Sequence, residues 1–72
     1  VNLSSIQKLA ESKNLTQIGI EDLKAAGLVN GNVLVKILGN GELTAKVDVT
    51  ANAFSKSAEE AIKAVGGNAI IL

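Results

Sequence analysis

Leu43-Thr44-Ala45-Lys46-Val47-Asp48-Val49-Thr50-Ala51-Asn52-Ala53 decides the fold, because apolar and polar side chains alternate along its whole length. Successive side chains of a strand point to opposite faces, so this period of two predicts a strand with one face on the core and one in water. Immediately upstream, Gly39-Asn40-Gly41 reads as a turn. It is expected to close a hairpin, its glycines supplying positive φ. On the far side of that turn, Val33-Leu34-Val35-Lys36-Ile37-Leu38 is rich in β-branched residues and almost wholly apolar. Such a run predicts a central strand covered on both faces. Asn30-Gly31-Asn32 marks the turn that leads into it.

Helical spacing appears on both sides of this pair of strands. Downstream, Ala58, Ala61, Ile62 and Val65 form one stripe, with Glu59, Glu60 and Lys63 outside it. That helix is expected to begin near Ser55 to Ser57, with Ser57 and Glu60 as a capping box and Gly66-Gly67 as its stop. Asn68 to Leu72 then supplies a short apolar strand. Upstream, Leu3, Ile6, Leu9 and Ala10 predict a helix over residues 5–12, with Ser4 and Gln7 in capping-box spacing and Asn14 at its end. Thr16 to Ile18 is a brief extended piece. Ile20 to Ala26 is a second helix, with Glu21 and Asp22 in its first turn and Gly27 just past its end. The fold class is therefore α/β: a small single domain over residues 1–72, of short strands and three helices in irregular β-β-α turns.

Composition narrows what such a domain can do. With 72 residues there is room for one core, near the lower size at which a fold holds without a staple. Apolar residues make up 47% of the chain and Phe54 is the one aromatic, so the core must be built from Val, Ile, Leu and Ala. The absence of Cys and His removes disulfides, thiolate or imidazole metal sites, Cys nucleophiles and His-based triads. Seven basic residues balance seven acidic ones, so the chain lacks the overall basic field of most nucleic-acid binders. No apolar run approaches the roughly 18 residues that span a bilayer, and the N-terminus has no signal-peptide pattern. A cytoplasmic protein with no membrane partner is expected. The start at Val1, without an initiator Met, is the form expected of a fragment of a longer protein.

Three places invite a chemical reading. The loop around Gly39 and Gly41 lacks a third Gly and a Lys-Ser/Thr pair, and it leads into a strand, so it does not match a phosphate-cradling loop. The pairs Glu21-Asp22 and Glu59-Glu60 sit where acids complement helix dipoles, and neighbouring helix residues diverge too far to act as acid and base. No catalytic constellation, cofactor site or metal site can be assembled. Ala53-Phe54-Ser55-Lys56-Ser57-Ala58 is different: hydroxyls, a lysine and the amides of a helix start converge there, and such a place suits an RNA phosphate. The bland reading is that the serines only cap the helix while Phe54 fills the core, and the two are compatible. Of the scattered lysines, Lys36, Lys46, Lys56 and Lys63 belong to the C-terminal half and could share one side of it.

Four pieces of the sequence carry a resemblance. They are Lys36-Ile37-Leu38-Gly39-Asn40-Gly41-Glu42-Leu43, Val47-Asp48-Val49, Phe54-Ser55-Lys56-Ser57-Ala58-Glu59-Glu60-Ala61-Ile62 and Gly66-Gly67. Their order and spacing resemble the signature of the L-fifteen family of bacterial large-subunit ribosomal proteins, including its hydroxyl-x-x-Ala step at Ser55 and Ala58. Glu21-Asp22-Leu23-Lys24-Ala25-Ala26-Gly27-Leu28 and the Val1-Asn2-Leu3 entry to the first helix are similar to the corresponding part of that family. The resemblance implies the C-terminal globular domain of such a protein: a structural constituent of the large ribosomal subunit, not an enzyme. Its implied partners are large-subunit rRNA and neighbouring ribosomal proteins, with no small-molecule substrate, and the isolated domain is expected to be monomeric. The residues expected to approach rRNA are Lys36, Lys46, Ser55, Lys56, Ser57 and Lys63. Family members also carry a basic, Gly-rich N-terminal extension, whose absence before Val1 would account for the neutral charge. At Asn52 and Ala53 the family often has basic residues, so the strand end is not expected to grip RNA. The competing expectation is a protein-interaction domain of the same fold, with no RNA role and an exposed Val/Ile/Leu patch.

Overall fold

The computed structural model describes residues 1–31 and 34–72. Among them the chain runs α1 (Leu3–Lys13), β1 (Gln17–Ile18), α2 (Ile20–Ala25), β2 (Lys36–Ile37), β3 (Asp48–Ala51), β4 (Ala53–Phe54), α3 (Lys56–Ala64) and β5 (Ala69–Ile71). β3 lies between β1 and β5 in one sheet, and β2 pairs with β4 in a second. Every pairing is parallel, with Gln17 opposite Asp48, Val49 opposite Ala69 and Lys36 opposite Ala53. The fold is thus the small α/β domain of three helices and short strands that the sequence patterns predict.

The alternation from Leu43 correctly separates inside from outside. Leu43, Val47, Val49 and Ala51 are buried, while Thr44 and Lys46 are exposed. Its reading as one long hairpin strand is corrected, because β2 has no free edge to offer. One edge is taken by β4, and along the other Leu38 donates to Val1 O at 2.7 Å and Leu3 donates to Leu38 O at 3.1 Å. This makes a parallel bridge between Asn2 and Leu38. The amides of Thr44 and Ala45 instead donate to Gln7 Oε1, at 2.9 and 3.0 Å, so a side chain replaces the ladder there. Only Gly41 of the loop has positive φ, at 92°.

Val33 to Leu38 is also corrected. Val33 falls outside the described residues, and of the rest only Val35 and Ile37 are buried. Leu34 is 87% exposed and Leu38 38%, so the strand is covered on one face. Asn52 explains how the chain moves from one sheet to the other without breaking the apolar rhythm. Its side-chain oxygen accepts from Val35 N at 2.8 Å, and its own amide and that of Ala53 donate to Val35 O.

Each helix ends at the kind of residue expected to stop it, while two of the expected caps are not the ones used. Asn14 closes α1 with φ 52°, and Gly27 and Gly66 follow α2 and α3 with φ 77° and 86°. α1 begins at Leu3, two residues before the predicted start, so Ser4 lies inside the helix and forms no capping box. The glycine loop caps the helix from a distance, with Asn40 O accepting from Ser4 N at 3.2 Å. In α2 the Asp22 carboxylate accepts from Gly19 N at 2.9 Å. In α3 the cap is Ser55 rather than Ser57, because the helix starts at Lys56. That start also places Glu60 beyond the first turn, which Glu59 reaches.

Ile6, Ile18, Leu23, Ile37, Val49 and Ile62 are fully buried and draw both sheets and all three helices onto one aliphatic core. Each such side chain contributes about 1.5–3 kcal/mol on leaving water. Phe54 is only partly buried and packs at the margin of that core.

Candidate nucleic-acid interface

β4 delivers the chain to α3 under tight control. Phe54 lies opposite Ile37 in the parallel ladder, and Ser55 N donates to Ile37 O at 2.9 Å. This fixes the extended backbone of Ser55, whose hydroxyl then accepts from Ala58 N at 3.2 Å. The hydroxyl-x-x-Ala step is therefore physical: it spans N-cap to N3, and Ala58 is fully buried beneath it. The Ser57 hydroxyl lies 3.3 Å from that of Ser55. Among the described residues, the Lys56 and Ser57 amides meet no protein acceptor. Lys56 is exposed in the first turn, and Lys36, also exposed, occupies the strand beside β4.

The glycine loop closes over this helix start. A Cβ on Gly39 would overlap the Ser57 hydroxyl and come within 2.8 Å of Ser57 Cβ and 3.0 Å of Ala58 N. A side chain at residue 39 would force Ser57 to give way. The loop thus touches the N-terminal ends of both α1 and α3, through Ser4 and Ser57.

Lys46 passes the opposite end of α3, and Lys63 stands in its last turn. Nine residues at 1.5 Å per residue separate the two ends by roughly 12 Å. The Lys46 stem runs past Gly66, where a Cβ would lie 3.5 Å from Lys46 Cε. Lys63 donates to Glu59 Oε1 at 2.8 Å one turn earlier. That hydrogen bond, and the carboxylate charge behind it, raise the Lys63 pKa above the ordinary 10.5. The structure therefore divides the six predicted residues: Lys36, Ser55, Lys56 and Ser57 lie toward the start of α3, and Lys46 and Lys63 toward its end.

What escapes sequence reading is how Asn2, Gln7, Gly39 and Asn52 shape this region through distant partners. Gln7 shows why: its partners Thr44 and Ala45 lie 37 and 38 residues away, a distance no local pattern reports. Two open grooves lie elsewhere. One, of about 350 Å³, is lined by Gln17, Gly19, Asp22, Asp48 and Ile70 among others, and its carboxylates are spent on the amides of Gly19 and Asn68. The other, of about 240 Å³, lies between Leu9 of α1 and Leu28. Among the described residues no group of His, Cys, Asp and Glu could hold a metal ion, and no helix is long and apolar enough to cross a membrane.

Comparison with known proteins gives a family match over residues 1–70, to the model that groups ribosomal proteins 50S-L15 and 50S-L18e with their 60S counterpart. All 72 residues align at 64% identity with the large ribosomal subunit protein uL15 of Phocaeicola vulgatus. The proteins of that name from Bacteroides thetaiotaomicron and Porphyromonas gingivalis are 57% and 56% identical over the same length. The chain covers 49% of each, so it spans about half the length of the curated relatives it matches.

Proposed function

Because the chain belongs to the family of ribosomal proteins 50S-L15, 50S-L18e and their 60S counterpart, we propose that it is a structural, rRNA-binding C-terminal domain of a large-subunit ribosomal protein. It works on the cytoplasmic ribosome and is not an enzyme. The observation that carries this reading is the alignment of the whole chain with relatives named for the large ribosomal subunit. The neutral charge fits a domain that positions RNA while the other half of the full-length protein supplies most of the phosphate contacts.

The start of α3 is the part of the surface best suited to that task. Lys36 and Lys56 offer charge there, Ser55 and Ser57 offer hydroxyls, and the first-turn amides offer donors aimed along the helix dipole. Lys46 and Lys63 extend the footprint to the far end of α3. Binding of a large-subunit rRNA fragment, measured across a salt series, tests this. Four phosphate contacts would weaken affinity roughly a hundredfold between about 50 and 200 mM salt, and Lys56→Glu with Lys63→Glu should flatten that dependence. Unchanged affinity and slope would remove both lysines from the interface.

A second reading has an observation of its own. Ile70, Ile71 and Leu72 are 46%, 66% and 71% exposed along and just past β5, a strand at the sheet edge. A neighbouring ribosomal protein is the partner suited to that uncharged edge. Binding there would be insensitive to salt, which separates it from the RNA contacts. In isolation the domain is expected to be monomeric, and sedimentation across a concentration series tests that.

A further inference from the structure

Two Asn-Gly pairs stand in the chain, Asn30-Gly31 and Asn40-Gly41. At such a pair the glycine amide nitrogen can attack the asparagine side-chain carbonyl, because glycine has no Cβ to obstruct the approach. Both asparagines are exposed, so access to water does not distinguish them. Restraint does. Asn40 Nδ2 donates to Asn2 Oδ1 at 3.3 Å, and the Asn40 main-chain carbonyl accepts from Ser4 N at 3.2 Å. Gly41 is wedged against α1, where a Cβ would lie 2.7 Å from Ser4 Cβ and 2.9 Å from Ser4 N. Among the described residues, a Cβ on Gly31 would meet nothing within 4 Å. Among the described residues the Asn30 side chain has no hydrogen-bond partner.

We propose that Asn30 is a site of spontaneous covalent modification, converting to aspartate or isoaspartate through a cyclic imide, while the fold protects the identical pair at Asn40-Gly41. The Gly31 nitrogen gives its proton to hydroxide and bonds to Asn30 Cγ. The Cγ–Nδ2 bond breaks, and the side-chain nitrogen takes a proton from water and leaves as ammonia. A second water then opens the imide at one of its two carbonyls, leaving a carboxylate on either the side chain or the main chain. No oxidant or reductant takes part. A neutral amide becomes an anion, so a chain of zero formal charge acquires one negative charge.

The test is to hold the purified chain in mildly alkaline buffer, natively folded and in guanidinium chloride, and to follow both asparagines by peptide mapping. In the folded chain Asn30 should convert ahead of Asn40 by on the order of tenfold or more, since two hydrogen bonds must break before Asn40 reaches the reactive geometry. In denaturant the two should convert at similar rates, and Gly31→Ala should suppress conversion at Asn30 in both conditions. Equal native rates, an Asn40 that reacts first, or an Asn30 that stays intact would overturn the proposal. A gap between the two that persists undiminished in denaturant would also overturn it, because the protection would then not come from the fold.

Discussion

The two ends of α3 are each closed by a glycine pressed against a neighbouring segment, yet they differ in what the glycine meets. At the far end, a Cβ on Gly67 would overlap the Val47 carbonyl oxygen and lie 2.9 Å from its carbon. That obstacle is backbone entering the central strand β3, and it cannot turn aside. At the near end, Gly39 faces Ser57, whose hydroxyl can rotate, although its Cβ cannot leave. The far end is thus a rigid joint and the near end an adjustable one, and the adjustable one carries more of the groups suited to RNA.

Gly67→Ala is expected to have the largest effect, about 3 kcal/mol of destabilisation, the upper part of the usual range for overpacking against immobile neighbours. Urea unfolding reads it directly, and a loss below about 1 kcal/mol would show that β3 can shift and that the joint is not rigid. Gly39→Ala should cost less, about 1–2 kcal/mol, because part of the clash is with a movable hydroxyl. Adding Ser57→Ala to it should recover some of that loss, a coupling expected only of residues in contact. Strict additivity of the two changes would mean that the loop does not press on the helix start.

This contrast also separates what the sequence makes legible from what it hides. The stripe Ala58, Ile62 and the stop at Gly66 are local, since a helix buries one face and ends where a left-handed residue is easy. Both are readable from the chain alone. The alternation from Leu43 is readable for the same reason, because a side chain's face depends only on its parity. Strand partners are not local. Nothing within Val33 to Leu38 announces that Lys36 to Leu38 lie beside Val1-Asn2 and β4, so a glycine turn between two apolar stretches reads as a hairpin. The six residues expected to approach RNA are found by type and by resemblance. Their division between two ends of a helix follows from Gly66 meeting Lys46 and from β4 meeting β2, contacts that only the folded chain creates.

Ser55→Ala sharpens the comparison at the near end alone. The lost hydroxyl leaves Ala58 N without its cap, and caps of this kind are worth about 1 kcal/mol. If Ser55 acts only as a cap, Asp in its place should preserve stability and leave RNA affinity no worse than any added negative charge predicts. If the hydroxyl also touches phosphate, Ser55→Asp should remain stable and bind RNA far more weakly than Ser55→Ala, because a carboxylate would then face the phosphate directly.

The smallest expected effect lies in Glu59→Gln, which frees the ammonium of Lys63 in the last turn of α3. Both partners of the Lys63-Glu59 pair are exposed, at 63% and 43% of their side-chain surface, and exposed pairs contribute little to stability. The Lys63 pKa is raised in the fold, so what the pair does contribute is present below the ordinary lysine value and fades only as pH rises through the raised one. Near neutrality the unfolding midpoint should therefore stay where it is. What changes is the availability of a cation, since the Lys63 ammonium is bound to Glu59 and a phosphate must displace that carboxylate to reach it. Freed by glutamine, Lys63 should bind RNA more tightly and steepen the salt dependence by about 0.9 per added phosphate contact. A slope that does not move, with the fold intact, would confine the RNA footprint to the start of α3 and leave Lys63 as a charge that serves only the helix dipole.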